Sequence, residues 1–348
     1  MNTVCVTNTG EVYVIGSNTY GQHARPREDR PSRALKGQQR KELDANTEGA
    51  TQQQLQDYMS LVRFPQEAKV KITSIAAGGE HVFAVSSTNE LYGWGKNKEG
   101  QLGIGTISEY EHEPTLVPKI ESILQAYCGD NYSACVSAYG EVYVTGSLEG
   151  GKLGLGDAYT DGYLLDFTLV PNLPPIASLA LGPSHMLAIA QHSKDKTQDK
   201  FGMTYAWGLN SRGQLGVGGK DDVNVPTKIM NSKVLFKKVV CGQNFSIGIS
   251  QSQQLYFWGN YKYMCDIKVS KDVETPTFMK SFEKYTVKDI AVCYKRCVII
   301  NDKGEILVWG DYLKNKFNMN FDPNKEDDPK KKFGTTEIKV KQFQPFPA

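Results

Sequence analysis

The sequence predicts an all-β protein assembled from one repeated unit, and three observations carry that expectation. The first is the stretch Ile72 to Gly103, ITSIAAGGEHVFAVSSTNELYGWGKNKEGQLG, where three β-rich runs are separated by Gly78-Gly79 and Thr88-Asn89. Runs of this kind between turn residues read as a three-stranded meander. The second is the recurrence of Trp94-Gly95 as Thr145-Gly146, Trp207-Gly208, Trp258-Gly259 and Trp309-Gly310, at glycine spacings of 51, 62, 51 and 51 residues, with Ile15-Gly16 upstream. A fixed period of this size marks a repeat architecture. The third is the loop after each pair, as in Gly100-Gln101-Leu102-Gly103, whose glycines can take positive φ without steric cost.

Each departure from the period has a local cause. The long step contains QHSKDKTQDKFG at 191–202, which lengthens one hairpin turn. The first step spans 79 residues and contains an insertion at 22–69. Its opening part is loop-like and basic, with Arg25, Arg27, Arg30, Arg33, Lys36, Arg40 and Lys41 against Glu28 and Asp29. Its second part places Leu55, Tyr58, Met59 and Val62 at i, i+3, i+4 and i+7, the stripe of a short amphipathic helix. Such a helix either lies on the domain rim or docks on a partner, so these eleven residues are the candidate partner-binding set. Asn2 aligns with His81, so the chain begins inside a repeat whose inner strand is missing. Segment 338–348 aligns with 70–80 and is expected to supply that strand beside Val4 to Val6, stopping near Phe343 because Pro345 and Pro347 follow. The organisation expected is one domain over 1–348.

These motifs resemble the repeat of the regulator of chromosome condensation (RCC1-like) family. AAGGEHVFAVSSTNELYGWGKNKEGQLGIGT, CGDNYSACVSAYGEVYVTGSLEGGKLGLGD, and LGPSHMLAIA followed by TYAWGLNSRGQLGVGG carry its glycine three residues before a histidine, its Trp-Gly pair and its Gly-Gln-Leu-Gly loop. The last two repeats depart, with GNYKYMCDIK and GDYLKNKFNM in place of that loop. The resemblance implies a β-propeller of four-stranded antiparallel blades. Family members typically have seven blades. The positions equivalent to His81 number six here, namely Asn2, His81, Tyr132, His185, Phe245 and Arg296, so six blades closed by the C-terminal strand are expected.

Bulk composition narrows the function. Lys plus Arg at 40 against Asp plus Glu at 38 gives a formal charge of +2, so no global field argues for nucleic acid or a membrane surface. No long apolar run or leader is read, and an intracellular, cytoplasmic protein is expected. Seven cysteines without Cys-x-x-Cys argue against a disulfide frame or a zinc site. Cys128, Cys241 and Cys293 fall where other repeats have Ala77 and Leu181, and Cys135 falls where they have Ala84 and Ala188, so these are expected as small buried hydrophobes.

Catalysis needs an acid, base, nucleophile or metal in mutual reach. His81 and His185 are replaced by Tyr132, Phe245 and Arg296 at equivalent places and are read as structural, as are Trp94, Trp207, Trp258 and Trp309 with Gly95, Gly208, Gly259 and Gly310. Gly146 to Lys152 fits the phosphate-loop spacing, but Leu153 stands where a magnesium-binding hydroxyl belongs. No enzyme, cofactor or metal is expected. The leading reading is a propeller scaffold for protein partners within a larger assembly, in a cytoskeletal or ciliary setting among others that relatives occupy. One rival is guanine-nucleotide exchange on a small GTPase, because the family's founding member acts on Ran; no wedge-like excursion matches at the corresponding place. Another is chromatin or nucleic-acid binding through Arg25 to Lys41, where no aromatic residue interleaves the basic ones.

Overall fold

In a computed structural model the described residues are 2–16, 22, 24, 60–65, 70–191, 202–230, 234–263, 271–310 and 336–338. They form six antiparallel sheets. The first has three strands, β1 (Asn2–Val6), β2 (Val12–Gly16) and β3 (Ser60–Leu61). The second holds β4 (Ile72–Ala77), β5 (His81–Ser86), β6 (Leu91–Asn97) and β7 (Ser108–Leu116). The third holds β8 (Ile123–Cys128), β9 (Tyr132–Ser137), β10 (Val142–Ser147) and β11 (Tyr163–Leu169). The fourth holds β12 (Ile176–Leu181), β13 (His185–Ala190), β14 (Thr204–Gly208) and β15 (Val223–Lys228). The fifth holds β16 (Phe236–Cys241), β17 (Phe245–Ser250), β18 (Leu255–Gly259) and β19 (Val273–Phe278). The sixth holds β20 (Val287–Cys293), β21 (Arg296–Asn301), β22 (Ile306–Gly310) and β23 (Thr336–Ile338). Each is a meander in chain order, the blade of a β-propeller, and six blades is the number the repeat count predicts.

The chain divides into two compact units. One comprises Met1–Glu149 with Asp161–Pro171 and contains the first three sheets; the other comprises Gly150–Thr160 with Asn172–Ala348 and contains the last three. Within each, the core lies between sheets. In the first unit Val12 and Val14 pack with Ile72, Val82, Ala84 and Trp94, and Phe83, Val85 and Leu91 pack with Ile123 and Ala126 of the third sheet. In the second, Leu187 and Ile189 meet Phe236 and Val239, while Ile247 and Ile249 meet Val287 and Ile290. Within each unit, covering by a sheet on either side explains why β5 and β17 are buried along their whole length; β9 and β13 are buried likewise.

Three expectations change. Ser60 and Leu61 are extended and pair with Val14 and Tyr13, and Val62 is 4% exposed among Val12, Val14 and Trp94. Val62 therefore serves the core and leaves the partner-binding set, because pairing with β2 pulls the chain straight where the i+7 position of a helix was expected. Ile338 lies on the outer strand of the sixth sheet, in register with Ile306. The antiparallel ladder with β22 holds it there, so the closing strand does not begin at 338; residues 339–348 lie outside the described residues. Cys293 is exposed: it lies three residues before Arg296, at the place of Gly78, and Val292 takes the place of Ala77, whereas Cys135 is buried and Cys128 and Cys241 are half-buried.

The hairpin at 191–202 keeps a paired base, with Gly202 N–H donating to the Gln191 carbonyl at 2.9 Å. Arg25, Arg27, Arg30, Arg33, Lys36, Arg40, Lys41, Leu55, Tyr58 and Met59 lie outside the described residues.

Trp207 is fully buried, so Trp207→Ala removes a large side chain that the neighbours cannot replace. A loss of about 3–5 kcal/mol is expected in denaturant unfolding. Tyr139, 73% exposed on a hairpin turn, is the control, and Tyr139→Ala should stay within about 0.5 kcal/mol of the parent.

Candidate functional site

The repeat motif is the candidate site, because it holds the titratable and aromatic side chains that recur in every well-matched repeat. It starts from a missing Cβ. Gly78, Gly129, Gly182 and Gly242 each accept a hydrogen bond's worth of curvature by donating N–H to the carbonyl three residues on, at His81, Tyr132, His185 and Phe245. The ring of that residue then folds back over the bare Cα. A Cβ on Gly78 would stand 3.0 Å from His81 Cε1, and one on Gly182 would stand 2.8 Å from His185 Cε1. Tyr132 and Phe245 sit still closer over Gly129 and Gly242. The sixth repeat has Cys293 and Arg296 at these two places. With no ring to seat, the glycine is not required.

The seated imidazoles tie neighbouring sheets. His81 Nε2 lies 2.8 Å from Ser133 Oγ, and that hydroxyl donates to the Gln101 carbonyl at 2.7 Å. Because the hydroxyl proton is committed to Gln101, Ser133 Oγ accepts from His81 Nε2–H. In the second unit His185 Nε2 lies 2.9 Å from Ser246 Oγ, which donates to the Gln214 carbonyl at 2.8 Å. Each ring thus reaches the next sheet, whose serine bonds back to the Gly-Gln-Leu-Gly loop of the first. Where the ring is Phe245, the next sheet answers with Cys297 in one apolar cluster. Full burial holds His81 and His185 neutral, lowering their pKa from the ordinary 6.5 to about 3, with the Lys96 charge adding to the effect at His81. An imidazole spent on a hydroxyl, in its neutral form, is a packing group.

Trp-Gly pairs complete the joint. Gly95, Gly146, Gly208 and Gly259 have φ of +99°, +100°, +106° and +107°, and each marks a register shift in its sheet. A Cβ there would meet the backbone of the neighbouring strand, at 2.6 Å from the Glu80 carbonyl for Gly95, so only glycine makes this bulge. The last glycine of one loop lies on the tryptophan of the next sheet: Cβ positions on Gly154 and Gly216 would fall 2.7 Å from Trp207 Nε1 and 2.9 Å from Trp258 Cδ1. Where the loop departs from the motif, a carbonyl takes over. Trp94 Nε1 donates to Gln22 at 3.0 Å and Trp309 Nε1 to Tyr263 at 3.1 Å.

Sequence reasoning identified the His, Trp and Gly positions and missed Ser133 and Ser246. The available signal was a serine directly after the ring residue in the repeat that follows a histidine repeat. The thiols of Cys128 and Cys241 also escaped notice as donors; they reach the carbonyls of Ala76 and Ala180 on the preceding sheet, and burial pushes both thiols up, far from a reactive thiolate. Lys152 of the phosphate-loop spacing is buried, and Gly146 is one of the bulge glycines. Among the described residues no group of three or more His, Cys, Asp or Glu side chains could hold a metal ion.

This joint and its six meanders define a class, the β-propeller built from RCC1-type repeats. Residues 1–342 match the RCC1-like domain, and the chain belongs to that family. It is 31% identical over 261 residues to the human E3 ubiquitin-protein ligase HERC2, an alignment covering 72% of this chain and 5% of that protein. Among solved structures it is similar to human WBSCR16, with TM-score 0.61 and 24% identity over 73% of this chain and 65% of that one. It is also similar to Prp20p of Saccharomyces cerevisiae, with TM-score 0.59 and 18% identity over 87% and 82%. The chain therefore spans about a twentieth of the length of HERC2, and the two structures share its fold.

Two outcomes test the joint. Gly242→Ala pushes a methyl into the Phe245 ring, and overpacking of this kind should cost about 1–3 kcal/mol; Gly242→Cys with Phe245→Arg, the pairing of the sixth repeat, should lose less than the two single changes summed. For acid, the unfolded chain protonates His81 and His185 near 6.5 while the folded chain resists to about 3. The stability from neutral burial is complete above the unfolded value and drains away as pH falls towards the folded one. Resistance to urea unfolding should weaken as pH falls from about 6.5 towards about 3, and His185→Gln should flatten that slope.

Proposed function

We propose that this chain is a non-catalytic propeller scaffold that holds protein partners, as one component of a larger assembly. The observation that carries the reading is the employment of the repeat's functional-looking side chains: both motif histidines are neutral, buried and bonded to serines of the next sheet. What varies between repeats is the loops and the insertion, and in propellers of this kind loops on a rigid frame are where recognition resides. The basic residues Arg25, Arg27, Arg30, Arg33, Lys36, Arg40 and Lys41, with Leu55, Tyr58 and Met59, are the proposed contact set. An intracellular setting goes with this reading. Whether that setting is cytoskeletal or ciliary depends on the partners.

A second reading has an observation of its own. Prp20p, a structural relative, was characterised for binding to Gsp1p and histones, so nucleotide exchange on a small GTPase is the rival function and a basic, chromatin-type partner a further one. That likeness is one of fold, and a fold alone does not assign an activity.

Crosslinking of the intact chain in its native extract, followed by mass spectrometry, should place protein crosslinks within 25–59. Reversing Arg25, Arg27, Arg30 and Arg33 to Glu should reduce recovery of those partners about tenfold, the equivalent of ~1.4 kcal/mol. Crosslinks confined to other loops would remove the contact set. Accelerated release of labelled nucleotide from a panel of small GTPases would replace the scaffold reading with exchange.

A further inference from the structure

One residue of the second unit holds a conformation that nothing in the fold repays. Tyr294, in the turn between β20 and β21, has φ +54° and is the one aromatic residue among the described non-glycine residues at positive φ. A bulky side chain there crowds its own backbone. Gly79, Asp130, Pro183 and Gln243 stand at the equivalent place in the four sheets before it. The Tyr294 carbonyl accepts the Gln243 N–H at 2.8 Å, but a glycine would make that bond without the steric cost. Burial gives no return either, because the residue is 54% exposed. Backbone strain of this kind gathers at ligand-binding positions.

The surroundings of Tyr294 indicate the ligand. Its bond to Gln243 joins the turn to the fifth sheet, where the next residue, Asn244, accepts the Asn260 N–H at 2.9 Å. Tyr261 and Lys262 follow Asn260 in a short 3-10 turn, half-buried and exposed respectively. Trp309 anchors that turn by donating to the Tyr263 carbonyl, and it pairs with Cys297, next to Arg296. Two hydrogen-bonded steps and two chain steps separate Tyr294 from Tyr261, about 19 Å at most. The side chains so gathered read Tyr261-Lys262 and Tyr294-Lys295-Arg296, and the three turns 242–244, 260–263 and 293–296 contain no carboxylate. These belong to the two repeats that depart from the loop motif, so the change of sequence coincides with a change of chemistry. The interleaving of aromatic and basic residues that Arg25 to Lys41 lack is present here.

We infer that this end of the fifth and sixth sheets binds single-stranded nucleic acid. One unpaired base stacks on the Tyr294 ring and a second on Tyr261, while Lys262 and Lys295 take phosphates of the same strand. Paired bases hide their faces, so a duplex cannot use the site. None of the proposed contact set within 25–59 takes part.

The test is fluorescence anisotropy of the full chain with labelled oligouridylate and oligothymidylate of about ten nucleotides, a length within the range of single-strand sites. Binding of either supports the inference, and the ratio of the two reports on the sugar. The logarithm of affinity should fall against that of salt with a slope of about −1.4, the value for two phosphates of a single strand, and Lys262→Gln should bring it to about −0.7. Tyr294→Gly removes the ring and the strain together. It should weaken binding about tenfold while the urea midpoint stays at the parent's value or above, and Tyr294→Phe should bind as the parent does. No binding to either oligonucleotide, equal binding of the corresponding duplex, or tighter binding of an oligoglutamate peptide of the same length overturns the inference. So does binding undiminished by Tyr294→Gly, an unchanged slope in Lys262→Gln, or binding lost on reversal of Arg25, Arg27, Arg30 and Arg33. The crosslinking that tests the scaffold reading is independent of all these outcomes.

Discussion

The contact on which the structure depends is an aromatic or imidazole ring resting on a glycine that has no Cβ. Because the ring can lie flat over Gly78 or Gly182, its far edge projects towards the next sheet instead of being pushed aside. That places Nε2 at hydrogen-bond distance from a serine and sets the serine against a loop carbonyl of the first sheet. One absent methyl thereby fixes three things at once: the spacing of two sheets, the rotamer of the ring and the seat of the loop. Sheets packed face to face are usually held by side-chain volume alone; here a directional polar bond adds register to it.

The two kinds of joint differ in what they demand. His81 with Ser133 and His185 with Ser246 each bury polar atoms, and each seats its Nε2 on a serine hydroxyl. Phe245 with Cys297 buries none. A polar joint is intolerant of a lone substitution, since replacing either member strands the other in a dry interior. An apolar joint degrades by volume and drifts more easily. The sixth repeat, with Cys293 and Arg296, has left both kinds behind, and it is there that β21 loses the burial its four counterparts keep.

Much of this was legible along the sequence. The 51-residue period exposed the six repeats, the Trp-Gly pairs marked the third strand of each meander, and the replacement of His81 by Tyr132 and Phe245 already argued that the position packs instead of reacting. What stayed hidden is what depends on partners far away in the chain. Ser133 lies 52 residues from His81 and Ser246 lies 61 from His185, distances at which a linear pattern carries no geometric information. The helical reading failed at Val62 for a related reason. Its spacing was correct for a helix, but cross-strand pairing with Tyr13 and Val14 outweighed local periodicity. Ile338 was assigned by alignment to a strand that its ladder with Ile306 already excludes.

The anchoring of the first insertion has an evolutionary consequence. On its entry side the Gln22 carbonyl is clamped by the Trp94 indole, and on its exit side Val62 is locked among Val12, Val14 and Ile72. With both feet fixed by the core, doubling the length of the chain between them would add only about 0.6 kcal/mol of closure entropy. That makes the gap between these two anchors a cassette, a place where chain of another length or composition can be fitted without renegotiating the sheets beneath.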